Sequence, residues 1–225
     1  MKRRRRFEAA PILSLVVSLA PGACVSGAPD GTVPDGSVGV ARSAALEAMV
    51  QENGGRAVAL LLPPVSADRP ERVVLARHAA AAPAQVLARL RDVERYPEFV
   101  DRVARVAVRE RGDEVLLFDA ELEMPFQNLE YTLRYVFAAD GRVDVFGEAG
   151  VLEGGRWCWQ ALPSGGGALV VYTSEGEIGD GAGFVLRKIL DSDPDLQPGL
   201  AFAQGLRFLR AICAAAERAA EGETP

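Results

Sequence analysis

The sequence has few of the residues from which catalytic and metal sites are usually built. Its 225 residues include one histidine, His78, and three cysteines, and no H-x-x-x-H, C-x-x-C or G-x-S-x-G pattern occurs. A zinc site or a nucleophilic triad needs several such residues at defined spacings. We therefore predict no metal, no cofactor and no catalytic set, and we interpret His78 as a satisfied or surface-exposed side chain.

An excess of basic charge is also missing. The chain has 25 lysines and arginines against 31 acidic residues, which gives a formal net charge of −6. No basic stripe with interleaved aromatic residues is present. A protein with this balance repels a phosphate backbone, so we expect no nucleic-acid partner.

No apolar run is long enough to span a bilayer, which takes about 20 residues. The chain begins instead with a basic stretch from Lys2 to Arg6, an apolar stretch from Ala9 to Ala20, and the small residues Pro21-Gly22-Ala23. This order is typical of an export signal, which we place at residues 1–23. Without these residues the chain keeps 20 basic and 30 acidic residues, a net charge of −10.

Cys24 follows directly, and its setting resembles a bacterial lipoprotein cleavage site, with Pro21 where that motif usually has leucine. Two outcomes stay open. Lipidation of Cys24 would anchor the protein to a membrane, whereas ordinary cleavage would release it into the periplasm. Residues 24–40 are rich in Gly, Pro and Asp, which predicts a linker.

Alternation of apolar and polar residues predicts strands through the middle of the chain. It is clearest from Glu114 to Glu123 and from Asn128 to Phe137. From Val73 onward we count about seven antiparallel strands with one apolar and one polar face. Residues 41–72 are predicted to add a helix and a strand, which either pack outside the fold or extend its sheet. In the segment from Val103 to Arg109, the alternation places Val103 on the opposite face from Val106 and Val108.

Two helices frame these strands. Pro83 suits a first helical turn, and we predict that Asp92 and Tyr96-Pro97 end the helix, since a residue before proline prefers extended conformations. The last helix is predicted from about Leu196 to Ala219. Its apolar stripe, at i, i+3 and i+4 spacing, consists of Phe202, Leu206, Leu209, Cys213 and Ala216.

Three stretches carry a family resemblance: Pro83, Val86, Leu90 and Asp92 with Tyr96-Pro97-Glu98-Phe99, the strand start Gly155-Arg156-Trp157, and Val170-Val171-Tyr172. Together they resemble the START-like or SRPBCC helix-grip superfamily, in particular its branch of polyketide cyclases and coenzyme-Q-binding START-type proteins. The resemblance spans about Val73 to Glu217. It implies an α+β fold in which a curved antiparallel sheet of about seven strands wraps around a long C-terminal helix, with the ligand-binding domain at residues 73–220.

The resemblance also implies a cavity between sheet and helix that holds a hydrophobic small molecule, such as a lipid, an isoprenoid quinone or a polyketide. Aromatic residues on predicted inward faces suit such a cavity, because Tyr and Trp combine an apolar body with one polar atom. The candidate ligand-binding residues are Phe118, Tyr131, Tyr135, Trp157, Trp159, Phe202, Leu206 and Leu209. A fully packed core would explain the same residues and stays open.

Two other functions stay open beside a monomeric ligand-binding protein. One is a polyketide cyclase or aromatase, in which Tyr131 or Arg134 would orient an intermediate; the other is a partner-binding module without a ligand. Cys158 and Cys213 are expected to be two separate buried thiols rather than a disulfide. The acidic row Asp119, Glu121 and Glu123 is interpreted as a solvated strand face rather than a calcium or acid–base site.

Overall fold

The computed structural model describes residues 44–62, 72–123, 128–175, 188, 192–193 and 196–222. The predicted export signal, Cys24 and the linker lie outside these residues and stay predictions. The described helices are α1 Ala44–Glu52, α2 Pro83–Arg91, α3 Tyr96–Phe99 and α4 Leu196–Ala220, with a 3-10 turn at Val93–Arg95. The described strands are β1 Val58–Leu62, β2 Arg72–Ala79, β3 Val103–Arg111, β4 Val115–Leu122, β5 Leu129–Phe137, β6 Arg142–Gly150, β7 Arg156–Ser164 and β8 Gly167–Glu175.

The eight strands form one antiparallel sheet in the order β1-β2-β8-β7-β6-β5-β4-β3. Strands β2 to β8 are the seven that the alternation predicts. β1 pairs with β2, from Val58 opposite Ala76 to Leu62 opposite Arg72, and so extends the same sheet at its edge. Together with α4 this gives the expected α+β helix-grip fold, in which the sheet curves around a long C-terminal helix.

The predicted alternation holds where the strand sequence is regular. In β4 the residues Leu116, Phe118, Ala120 and Leu122 are buried, and the residues between them are less so. It fails at β3, because the register jumps from Val103 opposite Leu122 to Arg105 opposite Glu121. This bulge adds one residue and turns the strand over. Val103 therefore lies on the core side together with Val106 and Val108, and the predicted opposite placement is wrong.

The prediction of one polar face required the whole outer face of the sheet to be solvated. The structure shows that part of this face is covered. α1 packs on the outside of β2, and every residue of β8 is buried. A second, smaller core forms there from Leu46, Val50, Val74, Ala76, Leu169 and Val171. The apolar stretches of β2 and β8 thus have both faces covered, which explains why their sequences do not alternate.

α2 begins at Pro83 as predicted and ends before Asp92. The prediction that Tyr96-Pro97 stops helical structure is wrong, since α3 starts there. Proline fits the first turn of a helix, where its missing N–H group has no partner to lose.

α4 packs against β2, β8, α2 and α3. Its buried side carries Leu209, Ile212, Cys213 and Ala216, all fully enclosed. The C-terminal end is held by Glu217, whose carboxylate accepts hydrogen bonds from the guanidinium of Arg77 and the backbone N–H of Ala80. No helix in the described part of the chain is long and apolar enough to cross a membrane.

Candidate functional site: a tyrosine cluster under α4

All four tyrosines of the chain lie in the interior between the sheet and the helices. They are Tyr96 on α3, Tyr131 and Tyr135 on β5, and Tyr172 on β8, and none is more than 8% exposed. Tyr131 and Tyr135 project to the same side because they are two residues apart on one strand. Tyr172 lies on β8, which β7 and β6 separate from β5 in the sheet. We call these four residues the tyrosine cluster.

Aromatic rings surround the cluster. Tyr96 meets Phe118, Phe99 and Phe208 edge to face, with ring centroids 6.5, 5.6 and 6.0 Å apart. Phe118 meets Tyr135 at 5.1 Å, and Trp159 lies 4.7 Å from Tyr172. Such contacts are typical of well-packed aromatic cores. The hydroxyl groups are therefore the main polar atoms in an apolar interior.

The four hydroxyl groups are satisfied to different degrees. The Tyr96 hydroxyl donates to the carbonyl oxygen of Leu90 at 3.0 Å and also interacts with the hydroxyl of Tyr135. The Tyr172 hydroxyl interacts with Ser174. Tyr131 has no hydrogen-bond partner among the described residues; only the nearby Tyr135 acts on it electrostatically. Tyr131 is therefore the exception in this cluster, because its hydroxyl remains available for a hydrogen bond to another molecule.

Burial raises the pKa of every tyrosine in the cluster. For Tyr135 desolvation raises the pKa to about 12, although the hydrogen bond to Tyr96 opposes the shift. For Tyr131 and Tyr172 desolvation raises the pKa further. The phenols therefore stay protonated at neutral pH, so they can donate hydrogen bonds to a ligand but cannot act as general bases.

Most of the predicted ligand-binding residues do face this interior. Phe118, Tyr131, Tyr135, Trp159 and Leu209 are buried, and Trp157 is half-buried against the same core. The sequence interpretation missed Tyr96 and Tyr172 as members, although both were noted in the family-like motifs. Their role shows only when α3 and β8 are brought to the same interior.

Phe202 departs from the prediction, since 39% of it is exposed. It lies seven residues, about two turns, before Leu209 and on the same side of α4. The predicted direction of Phe202 on the helix is therefore correct, but the described part of the sheet does not cover this end of the stripe. Leu206 is partly buried and borders a separate hollow on the outside of the fold.

Arg134, a candidate for orienting an intermediate, also lies away from the interior. Its guanidinium pairs with the carboxylate of Glu148 and lies over the ring of Phe146, on the outer side of the sheet. Because β5 alternates, Arg134 points opposite to Tyr131 and Tyr135. The prediction that Arg134 contributes to the pocket is wrong.

The other polar candidates have structural partners. The Nε2 of His78 lies 3.0 Å from the backbone oxygen of Ser164, so this histidine is satisfied, as predicted. Partial desolvation disfavours ionised Asp119, but hydrogen bonds from Thr132 and Arg109 outweigh it and lower its pKa. In the described ranges no group of three or more His, Cys, Asp or Glu residues is arranged to hold a metal ion.

The two described cysteines are separate buried thiols, as predicted. Cys158 and Cys213 are both free and almost completely buried. Burial raises the pKa of each thiol to about 12. Both are therefore protonated at neutral pH and poor nucleophiles.

One surface hollow, of about 460 Å³, lies on the outer side of α4. It is lined by Phe99, Asp101, Ala203, Leu206, Arg207, Arg210 and Ala211. We call it the α4 hollow. It is distinct from the tyrosine cluster, because none of the four tyrosines lines it and Arg207 and Arg210 lie away from the buried side of the helix.

A sheet that curves around a long terminal helix and encloses a polar cluster in an apolar interior defines the protein as a helix-grip protein. Residues 79–192, slightly more than half of the chain, match the family model described as polyketide cyclase/dehydrase and lipid transport. The chain belongs to this family. None of the curated proteins compared with the chain matches it at a significant level.

Solved structures share the fold at low sequence identity. A Thermus thermophilus protein, TTHA0849, superposes with a TM-score of 0.53 at 19% identity, covering 66% of this chain and 98% of its own. The Zhui aromatase/cyclase of a Streptomyces species gives 0.53 at 17%, covering 65% and 93%. The di-domain aromatase/cyclase StfQ of steffimycin biosynthesis gives 0.56 at 21%, covering 67% and 51%.

Proposed function

We propose that the protein binds a hydrophobic small molecule between its curved sheet and α4, at the tyrosine cluster. The observation that carries the proposal is Tyr131, whose side chain is 7% exposed in apolar surroundings and whose hydroxyl forms no hydrogen bond with a described residue. A bound ligand with an acceptor oxygen would supply that partner. Membership of a family described by cyclisation, dehydration and lipid transport supports the same conclusion.

The ligand class follows from the surroundings. Each methylene group that leaves water contributes about 0.8 kcal/mol, so the apolar part of a ligand supplies most of the affinity. The protonated phenols favour a neutral carbonyl or hydroxyl group over a cation, because they act as donors at neutral pH. A lipid, an isoprenoid quinone or a polyketide meets these requirements.

The direct test is native mass spectrometry of the purified protein, followed by titration with a fluorescent lipophilic probe. We expect a co-purified lipophile, or saturable probe binding that a quinone or a fatty acyl compound displaces. A protein that carries nothing and binds neither the probe nor these compounds would contradict the proposal.

Tyr131→Phe should weaken binding without weakening the fold. Loss of one hydrogen bond to a ligand costs about 0.5–1.5 kcal/mol, so we expect a two- to tenfold weaker affinity for a carbonyl-bearing ligand, roughly. Stability should be unchanged or slightly higher, since an unpartnered hydroxyl is removed. Isothermal titration and thermal unfolding of the same samples measure both quantities.

Tyr96→Phe is the matched control, because it removes a hydroxyl that already has a protein partner. We expect it to cost about 1 kcal/mol of stability through the lost bond to Leu90. If Tyr131→Phe destabilises the protein as much and leaves affinity unchanged, its hydroxyl belongs to the packed core.

A second candidate is cyclase-type catalysis, which the donor chemistry of the cluster favours. A protonated phenol beside a ligand carbonyl can stabilise the negative charge that develops on oxygen during an aldol ring closure. The described residues of the interior offer no carboxylate or histidine as a base. Incubation with a linear poly-β-ketone analogue would support catalysis if a cyclic product formed faster than without protein.

We also propose that the protein is exported, on the basis of the basic and apolar stretches before Cys24. The full chain, expressed in a Gram-negative host, is expected outside the cytoplasm. If Cys24 is lipidated, labelled palmitate will enter the parent but not a Cys24→Ala variant. Equal labelling of the two would rule out lipidation at Cys24, and a cytosolic parent would rule out export.

A further inference from the structure

The α4 hollow contains two arginines whose charges are not neutralised by the rest of the described chain. Nine arginines, from Arg77 to Arg142, have a carboxylate oxygen within 4.0 Å. Arg207 and Arg210 form no such pair with a described residue, although the protein is acidic overall. They are three residues apart, so both face the hollow from one side of the helix.

The carboxylates near these arginines do not cancel this charge. From Leu196 to Ala216, α4 contains no Asp or Glu. Among the described residues, Asp101 is the only acidic one that lines the hollow. Its side chain is 79% exposed and lies 4.0 Å from the guanidinium of Arg102. The hollow therefore presents a local positive potential on a negative protein.

The surface beside the arginines is apolar. Among the described residues three large hydrophobic side chains are exposed, and one of them, Leu196, lies on this side of α4. Leu196 is eleven residues, about three turns, before Arg207 and on the same side of the helix. Phe99, Leu206 and two alanines form the apolar part of the hollow itself. Exposed apolar residues grouped in this way typically mark an interaction surface.

We propose that this side of α4 docks the protein on a membrane surface that contains anionic lipids. Apolar side chains that enter the interface, next to cations that contact lipid phosphates, are the features by which an amphipathic helix binds such a surface. The net charge of −6 repels an anionic membrane elsewhere, so the unpaired arginines also fix the orientation of approach. This inference does not depend on the interior ligand.

The test is co-sedimentation of the full chain with vesicles of phosphatidylcholine that contain about a quarter phosphatidylglycerol. Each arginine near an anionic surface contributes about fivefold to partitioning, so Arg207→Gln with Arg210→Gln should weaken binding roughly 30-fold. The matched control is Arg105→Gln with Arg109→Gln, which removes the same charge from exposed positions on β3. Leu196→Ser should weaken binding about tenfold, and Leu61→Ser, at an exposed residue of β1, should not.

A local reporter separates this face from the basic N-terminal stretch Lys2 to Arg6, which is also expected to attract anionic vesicles. A polarity-sensitive fluorophore on Ala203→Cys, in a Cys24→Ser background, should shift to the blue on anionic vesicles. The same label on Ala107→Cys, an exposed position of β3, should not shift. The buried Cys158 and Cys213 should remain unlabelled.

The proposal is overturned if the Ala203 reporter does not respond to vesicles, or if the β3 variants weaken binding as much as the α4 variants. Absence of vesicle binding, as expected if the hollow receives an acidic protein segment instead, also overturns it. Probe titration without vesicles tests the interior site independently. The α4 variants should bind the lipophilic probe as the parent does.

Discussion

Replacement of Phe118 by alanine is expected to lower the free energy of unfolding by about 3–5 kcal/mol, the usual cost of deleting a fully buried aromatic side chain. Phe118 is 1% exposed and connects the rings of Tyr96 and Tyr135. Its removal leaves a cavity between these two rings. For a chain of this size the melting temperature should fall by about 2–4 °C for each kcal/mol, which thermal unfolding will show.

The matched control is Phe202→Ala, the same substitution on a residue that is 39% exposed. We expect a loss of less than about 1 kcal/mol, because much of this side chain is already in water. Equal costs for the two substitutions would mean that Phe202 is enclosed in solution, which would contradict its 39% exposure.

The alternating strands could be predicted because each apolar residue there has one covered side. β4 and β5 follow the period of two, and their inward residues supply Phe118, Tyr131 and Tyr135. The bulge in β3 could not be predicted, since the sequence shows no break at Ala104. A register shift depends on the partner strand, and the partner is unknown when one segment is considered alone.

The helices show a similar limit. The apolar stripe of α4 was visible in the sequence, but the length of helix that the sheet covers was not, and Phe202 was therefore placed too deep. A helical pattern predicts the direction of a side chain, but it does not predict how far along the helix the sheet extends. For the same reason, the arginines of the α4 hollow gave no signal until α3 was placed beside α4.

The sequence does not predict that part of the outer face of the sheet is covered, because α1 forms this cover and its signal is weak. Its nine residues have only two buried side chains, Leu46 and Val50, which is a weak signal in the sequence. The consecutive apolar residues of β2 and β8 were the better indication, because a strand with two covered faces does not alternate. Part of the predicted polar face is thus a second core.

Gly205→Ala is expected to destabilise the protein, although alanine favours a helix more than glycine does. A methyl group on Gly205 would lie 2.3 Å from Cε1 of Tyr172 and 3.0 Å from Cδ1 of Leu75. Both neighbours are buried, and the Tyr172 ring lies against Trp159, so neither can move freely. Overpacking of this kind costs about 1–3 kcal/mol, of which the helix preference of alanine recovers up to about 1 kcal/mol.

Gly199→Ala in the same helix is the control, because its effect on stability is expected to have the opposite sign to that of Gly205→Ala. A methyl group there meets no atom within 4 Å, so only the helix preference acts and stability should rise by up to about 1 kcal/mol. The two melting temperatures should therefore move in opposite directions from the parent. Displacement of Tyr172 should also weaken probe binding in Gly205→Ala but not in Gly199→Ala, since the ring forms one side of the tyrosine cluster. If both variants gain stability and keep parental probe binding, α4 is not held against β8 at Gly205, and the proposed site between sheet and helix loses its wall.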